Sequence, residues 1–243
     1  MATSETHYGT HLGPVYSWML GDLDAACTRA TAEIADLPLL PADRGVAVDL
    51  GAGLGLHSLA LGKRGFHVVA VDNCQVLLTE LQSRAGSLPI AIHRADLLEF
   101  RRFVSGQARV IVCMGDTLTH LPALSAVDSL LAAVASSLPR AGIFATTFRD
   151  YATRRLEGEQ RFILVRADAD RIMTCFLEYQ EHQVMVHDLL QEKENGRWRQ
   201  AVSSYPKLRL APTWLMLKLS ALGFSTKCDA TPNGMVRIVA TKN

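Results

Sequence analysis

The stretch VAVDLGAGLGLH, residues 46 to 57, constrains this chain more than any other. An apolar, β-branched run ends in Asp49, glycines come at alternate positions 51, 53 and 55, and an apolar segment of helical character begins. Glycines at a strand-to-helix turn let the backbone take positive φ and leave no Cβ between chain and ligand. The first N–H groups of the adjoining helix favour an anionic or polar group there. Such a turn also occurs for structural reasons alone, so the case for a ligand rests on residues further along the chain. Asp72 closes the next predicted strand, 21 residues after Gly51, where an acid can accept hydrogen bonds from ribose hydroxyls. The pair of signals points to a nucleoside.

The surrounding pattern predicts a doubly wound α/β fold. Gly45 to Leu50, His67 to Val71, Ile90 to His93, Arg109 to Met114 and Gly142 to Phe148 are strand candidates, with helical segments at Leu54 to Gly62, Gln75 to Arg84 and Leu124 to Leu138. Apolar strands separated by helices imply a parallel sheet covered on both faces, with ligands at the strand carboxyl ends. The second half changes rhythm. Phe162 to Arg166, Arg171 to Tyr179, Gln183 to Leu190 and Arg197 to Ser204 are separated by polar turns such as ADAD and ENG, which predicts antiparallel hairpins. Pro212 to Leu222 reads as a helix, with strands after it near Phe224 to Cys228 and Met235 to Thr241. The expectation is one domain over 1–243: an N-terminal helical lid (1–40), a ligand-binding core (41–150), an antiparallel insertion after the fifth strand (151–210), and a C-terminal helix and strands (211–243) completing a seven-stranded, mostly parallel sheet.

Composition removes several alternatives. A net charge of +1 gives no electrostatic footprint for nucleic acid or an anionic membrane. No run reaches the roughly 18 apolar residues of a membrane span, and the opening residues lack a signal-peptide layout. The five cysteines (27, 74, 113, 175, 228) have neither zinc spacing nor a disulfide framework. They imply reduced thiols in a cytoplasmic protein, and no metal site is expected.

The glycine spacing narrows the identity of the nucleoside. The dinucleotide fingerprint needs a small residue where Leu56 stands, and no Lys-Ser/Thr comes after the loop to serve a triphosphate. Gly-x-Gly-x-Gly after an acid resembles motif I of the class I S-adenosylmethionine-dependent methyltransferases, and the resemblance continues in order along the chain. Asp72, with Asn73, resembles that family's ribose acid. Asp96-Leu97 in HRADLLEF resembles the acid and backbone amide that hold adenine. Cys113-Met114-Gly115 stands where the family lines the methionine portion, and LPRAGIF resembles its turn and fifth strand. The resemblance implies the Rossmann-like methyltransferase fold. It also implies S-adenosyl-L-methionine as cofactor, with S-adenosyl-L-homocysteine as product, held by Asp49, Gly51, Ala52, Gly53, Gly55, Asp72, Asn73, Asp96, Leu97, Met114 and Gly115.

At the pocket mouth, CMGDTLTHL (113–121) and TFRDY (147–151) resemble segments of glycine N-methyltransferase and its small-molecule relatives. There an asparagine and an arginine help to hold the substrate's carboxylate. Arg149 matches the arginine, but Asp116 replaces the asparagine, and an ionised aspartate repels a carboxylate unless a cation neutralises it. A substrate amine, guanidine or hydroxyl facing Asp116 is the easier expectation. Asp116 and His120 are candidate bases, needed only if the acceptor carries a proton. In HYGTHLGPVYSWMLGD (7–22), Tyr8, Tyr16 and Trp18 are lid candidates, and of the hairpin pair Glu178 and Tyr179 only one can face the pocket, since neighbours on a strand point opposite ways. Tyr16, Trp18, Asp116, Arg149 and Tyr179 form the expected acceptor set; His182, His187, Tyr205, Lys207 and Arg209 are expected on solvated faces. The expected activity is methyl transfer to a nitrogen or oxygen of a small molecule, with no nucleic-acid or membrane partner. A methyltransferase acting on nucleic acid or protein and a non-catalytic adenosyl-binding protein remain as alternatives.

Overall fold

The computed structural model describes residues 3–243. Short helices α1 (Ser4–His7) and α2 (Tyr16–Leu20) flank a wider helical turn at Tyr8–Leu12, and α3 (Leu23–Ala35) comes next. Asp22 caps α3 by accepting the Ala25 N–H at 3.0 Å. Strands and helices then alternate: β1 (Gly45–Leu50), α4 (Leu56–Lys63), β2 (Phe66–Asp72), α5 (Gln75–Ala85), β3 (Ile90–Arg94), β4 (Ala108–Cys113), α6 (Leu124–Ser137) and β5 (Ile143–Phe148). Four antiparallel strands form a second sheet: β6 (Phe162–Ala167), β7 (Arg171–Tyr179), β8 (Gln183–Glu194) and β9 (Arg197–Leu208). The last elements are α7 (Pro212–Ala221), β10 (Phe224–Ala230) and β11 (Val236–Lys242).

The main sheet has seven strands in the order β10-β11-β5-β4-β1-β2-β3. The β1–β5 pairings are parallel, while β11 joins β5 and β10 in antiparallel fashion. The expected doubly wound architecture and its insertion are both present. Strand alternation sorts the two cores. Val48 and Leu50 of β1, with Ile111 and Phe144, pack on the face covered by α6 and α7, whereas Ala47, Val110 and Val112 meet Leu61 of α4 and Ile34 of α3 on the other. Burying one such Leu or Phe side chain contributes about 1.5–3 kcal/mol. The chain reverses direction of growth between β1 and β4, which leaves a crevice at their carboxyl ends.

Two hairpin strands run past their predicted ends. β8 continues to Glu194, and Asn195 (φ 50°) with Gly196 (φ 77°) makes the tight turn that pairs Glu194 with Arg197. β9 continues through Pro206 to Leu208. A proline inside an apolar run signals a strand end, but β9 is the edge of its sheet, where proline is tolerated. The extension matters because it carries Lys207 inward. The N-terminal segment lies on this second sheet: His7 is fully buried, its Nε2 at 3.0 Å from Asp188 Oδ2, its Nδ1 at 2.8 Å from Ser203 Oγ, and its ring stacked on Tyr205 at 4.0 Å.

Candidate active site

A cavity of about 430 Å³ lies at the carboxyl ends of β1, β2 and β4. The glycine loop, the segments after β2 and β3, and Met114 and Gly115 form one side, with Thr3, Ser4 and Glu5 at its rim near Arg94 of β3. Tyr8, Tyr16, His120, the start of β8 and the end of β9 form the other.

On the first side, Gly51, Ala52, Gly53, Asp72, Asn73, Asp96, Leu97, Met114 and Gly115 all line the cavity. Asp72 organises this wall. Its Oδ2 accepts the Gly53 N–H at 2.8 Å and its Oδ1 the Cys74 N–H at 2.8 Å. A carboxylate has about four acceptor positions, so each oxygen retains capacity for a ligand hydroxyl. Burial pushes the Asp72 carboxyl above its usual range, against the pull of those two N–H groups. Asp96 uses Oδ1 to cap the adjoining 3-10 segment through the Leu98 N–H at 2.8 Å, and stays exposed at the rim. Gly53 has φ 54°, and an added Cβ there would meet only Leu77 Cδ1 at 3.8 Å. The wall at Gly53 is therefore bare backbone, the kind of cradle a nucleoside with a polar tail fits.

Two members of the expected cofactor set do not reach the cavity. Asp49 is buried beneath it and accepts the Ser58 hydroxyl at 2.6 Å, tying the end of β1 to α4. Gly55 serves packing: with φ 86°, a Cβ would collide with Leu81 Cδ1, so α5 crosses where no side chain fits. Both acid and glycine support the loop from behind.

The opposite side departs further from expectation. Tyr8, Tyr16 and His120 line it, together with Gln183, Lys207 and Leu208, which the sequence had not singled out for the pocket. Asp116 does not. It is buried, and its Oδ2 lies 2.5 Å from Lys207 Nζ. Its Oδ1 accepts the Arg149 N–H at 2.9 Å and the Thr119 hydroxyl at 3.0 Å. Burial raises its carboxyl, yet Lys207 and the donors around it outweigh this and hold it below the usual range. With the Tyr151 hydroxyl 3.4 Å from Oδ2 as a fourth donor, its acceptor positions are occupied from within the protein, and it lies outside the cavity. Arg149 contributes only its backbone N–H; its side chain is exposed and lies outside the cavity. Trp18 is also outside, donating from Nε1 to Asp168 at 2.5 Å and lying against Arg166 and Arg171. Tyr179 points to the segment before β6, where its hydroxyl accepts the Leu156 N–H at 3.2 Å. Glu178 faces the other way, to His187 at 3.1 Å.

His120 lies with Nε2 at 3.4 Å from the Tyr8 hydroxyl and its ring stacked on Tyr205 at 5.5 Å. Its Nδ1 is buried without a partner among the described residues. Burial, and then the nearby Lys207 cation, push the imidazole down to about 3, so the ring is uncharged at neutral pH. Burial, with Tyr16 beside it, holds the Tyr8 phenol well above its ordinary range. His57 also lines the cavity, fixed to Glu33 at 2.7 Å. The sequence carried one usable signal for Lys207. It alternates with Ser203 and Tyr205, so a strand extended past Pro206 would have turned it inward with them.

Residues 47–142 match the family model described as "Methyltransferase domain". The glycine/sarcosine N-methyltransferase of Parasynechococcus marenigrum (strain WH8102) is 29% identical over 113 residues, which is 46% of this chain and 40% of that enzyme, so the match spans less than half of the relative. Among solved structures, Streptomyces venezuelae DesVI superimposes with a TM-score of 0.80 at 14% identity, covering 97% of this chain and 100% of that one. The S-adenosylmethionine-bound CalS10, an amino pentose methyltransferase from Micromonospora echinaspora, gives a TM-score of 0.74 at 16% identity, covering 96% and 97%. At such identities the superpositions establish the fold, and the family match falls on the same β1–β5 core that builds the glycine-loop wall. Residues 47–142 thus match a methyltransferase domain, and the chain has the fold of solved S-adenosylmethionine-dependent methyltransferases.

Proposed function

We propose that this protein binds S-adenosylmethionine against the glycine loop and transfers its methyl group to a nitrogen or oxygen of a small-molecule acceptor. The observation that carries this is one cavity with two dissimilar walls. One is bare backbone with Asp72 and Asp96; the other is aromatic and faces inward from the N-terminal segment and second sheet. The first wall suits a nucleoside and the second a small organic acceptor. The relatives named above act in their own cases on glycine or sarcosine and on an amino pentose, which supports a small acceptor here.

When bound, the cofactor supplies a methyl already activated by its positive sulfur, so the protein's task is positioning and exclusion of water. Asp72 and Asn73 would hold the ribose, Asp96 and Leu97 the base, and Gly51, Gly53, Met114 and Gly115 the remaining length. Tyr8 and Tyr16 would close over the acceptor, with the Tyr8 hydroxyl and His120 Nε2 offering the polar contacts. His120 is too weakly basic to drive deprotonation, so the acceptor is held in its proton-free form. All five cysteines are unpaired, which fits the proposed cytoplasmic setting. No helix among the described residues is long and apolar enough to cross a membrane.

Calorimetry with S-adenosylhomocysteine tests the cofactor half. Binding is expected, and Asp72→Ala should weaken it by about 1.5–3 kcal/mol, the range for hydrogen bonds to a charged group. Absence of any binding heat at several temperatures would overturn the assignment.

A further inference from the structure

The cavity wall is electrically lopsided. Asp72 and Asp96 stand on the glycine-loop side, and Glu5 joins them there, 3.9 Å from Arg94 of β3. On the wall built by β8, β9, Tyr8, Tyr16 and His120, the single formal charge among the described residues is Lys207. Its side chain is 10% exposed and that of its partner Asp116 only 4%. Asp116 has no oxygen left for a substrate, as its donors show. Lys207 does have capacity: an ammonium carries three donors, and Asp116 is its one hydrogen-bond partner among the described residues. Tyr151 and Tyr205 present ring faces to it at 5.9 and 5.7 Å, contacts that use its charge without using an N–H. The other titratable groups around it, Tyr8, Tyr16, His120 and Cys175, are uncharged: burial raises the phenols and thiol and lowers the imidazole.

We infer that Lys207 is the acceptor-recognition cation of this site, and that the acceptor it selects is an acidic hydroxyl, a phenol or enol, methylated on oxygen. The inference rests on the methyltransferase assignment and narrows it. An ammonium or guanidinium acceptor would meet a cation at this wall and no available carboxylate. A hydroxyl bound as its anion meets a donor, with the rings of Tyr8 and Tyr16 and the apolar Leu121, Pro122 and Leu208 around its carbon frame. The balance of the step is simple. The acceptor's proton leaves to bulk water as the anion binds, the oxygen's electron pair forms the new O–CH₃ bond, and the pair of the breaking carbon–sulfur bond returns to sulfur as a neutral thioether. No strong protein base is required, in keeping with a neutral His120.

The chromogenic 4-nitrophenol tests this on protein saturated with S-adenosylhomocysteine, because its absorbance reports its own ionisation. Bound to the native protein it should ionise at least about one pH unit below the free compound, a tenfold preference for the anion. Since Lys207→Met alone strands a buried Asp116, the comparison is the double variant Asp116→Asn/Lys207→Met, which removes both charges together. It should return the probe to its free ionisation and bind it about tenfold more weakly. Its S-adenosylhomocysteine affinity should stay within about twofold, as for a site that does not touch the cofactor wall. Unshifted ionisation on the native protein, equal phenolate binding by the double variant, or tighter binding of benzylammonium than of 4-nitrophenolate would overturn the inference while leaving cofactor binding standing. Failure to saturate with S-adenosylhomocysteine would instead overturn the methyltransferase assignment beneath it.

Discussion

Asp72, which lines the cavity, and Asp116, buried behind its opposite wall, are held in opposite ways. Asp72 has no cation beside it among the described residues; backbone N–H groups from Gly53 and Cys74 hold it, and burial pushes its carboxyl up. Asp116 is buried more deeply and yet is pulled down, because Lys207 and three further donors surround it. The first arrangement leaves acceptor capacity unused and is uncomfortable without a ligand. The second is complete within the protein. The glycine-loop wall thus keeps acceptor capacity for a ligand, whereas the charge behind the opposite wall is balanced within the protein and Lys207 has donors to spare.

The largest effect separating the two aspartates should come from Asp116→Ala. Removing one partner of a buried pair leaves the other uncompensated, which costs about 3–5 kcal/mol, measurable by urea unfolding at neutral pH. The pH dependence has a definite sign. With its folded pKa depressed, Asp116 contributes fully above its unfolded value near about 4, and the contribution disappears as pH falls through the folded value. Lys207 is the mirror case: burial lowers it, the Asp116 charge outweighs that and raises it, so its contribution holds below its unfolded value near about 10.4 and is lost as pH rises through the folded one. Asp72 runs the other way, since protonation relieves a carboxylate whose folded pKa is raised. An acid limb of stability that survives unchanged in Asp116→Asn/Lys207→Met would break the contrast.

Two glycines offer a finer division. Gly55→Ala should destabilise the fold by about 2–4 kcal/mol, from left-handed backbone strain and overpacking against the buried Leu81. The folded fraction should still bind S-adenosylhomocysteine. Gly53→Ala carries only the backbone cost of about 1–2 kcal/mol but places a methyl on the ligand's wall. Its binding should fall by more than about tenfold, roughly 1.4 kcal/mol. Equal binding by both variants would mean that the loop does not contact the cofactor. The smallest effect is expected at Trp18→Ala, which lies outside the cavity: affinity should change by less than about twofold, and a tenfold loss would restore it to the lid.

The cofactor wall was legible before folding because its residues succeed one another along the strand-turn-helix units that hold them. Gly51, Gly53, Asp72, Asp96, Met114 and Gly115 each sit at the end of a strand that alternation and β-branching had already located. Even there Asp49 and Gly55 lie off the cavity, against α4 and α5, because a motif position does not reveal which way a residue faces. The wall opposite the glycine loop was mostly illegible. Trp18, Arg149 and Tyr179 carry suitable chemistry but are turned elsewhere, and Lys207 was hidden behind a proline that an edge strand tolerates.

From the order of residues alone came the doubly wound sheet, the inserted hairpins and the glycine-loop side of the cavity, all of which depend on short-range periodicity and local turn geometry. Folding decided the charge state of the opposite side. Asp116 and Lys207 are 91 residues apart and meet only because the second sheet lies against the loop after β4. No local pattern encodes that meeting, and it changes what Asp116 meets: its carboxylate becomes the counter-ion of Lys207, which lines the cavity.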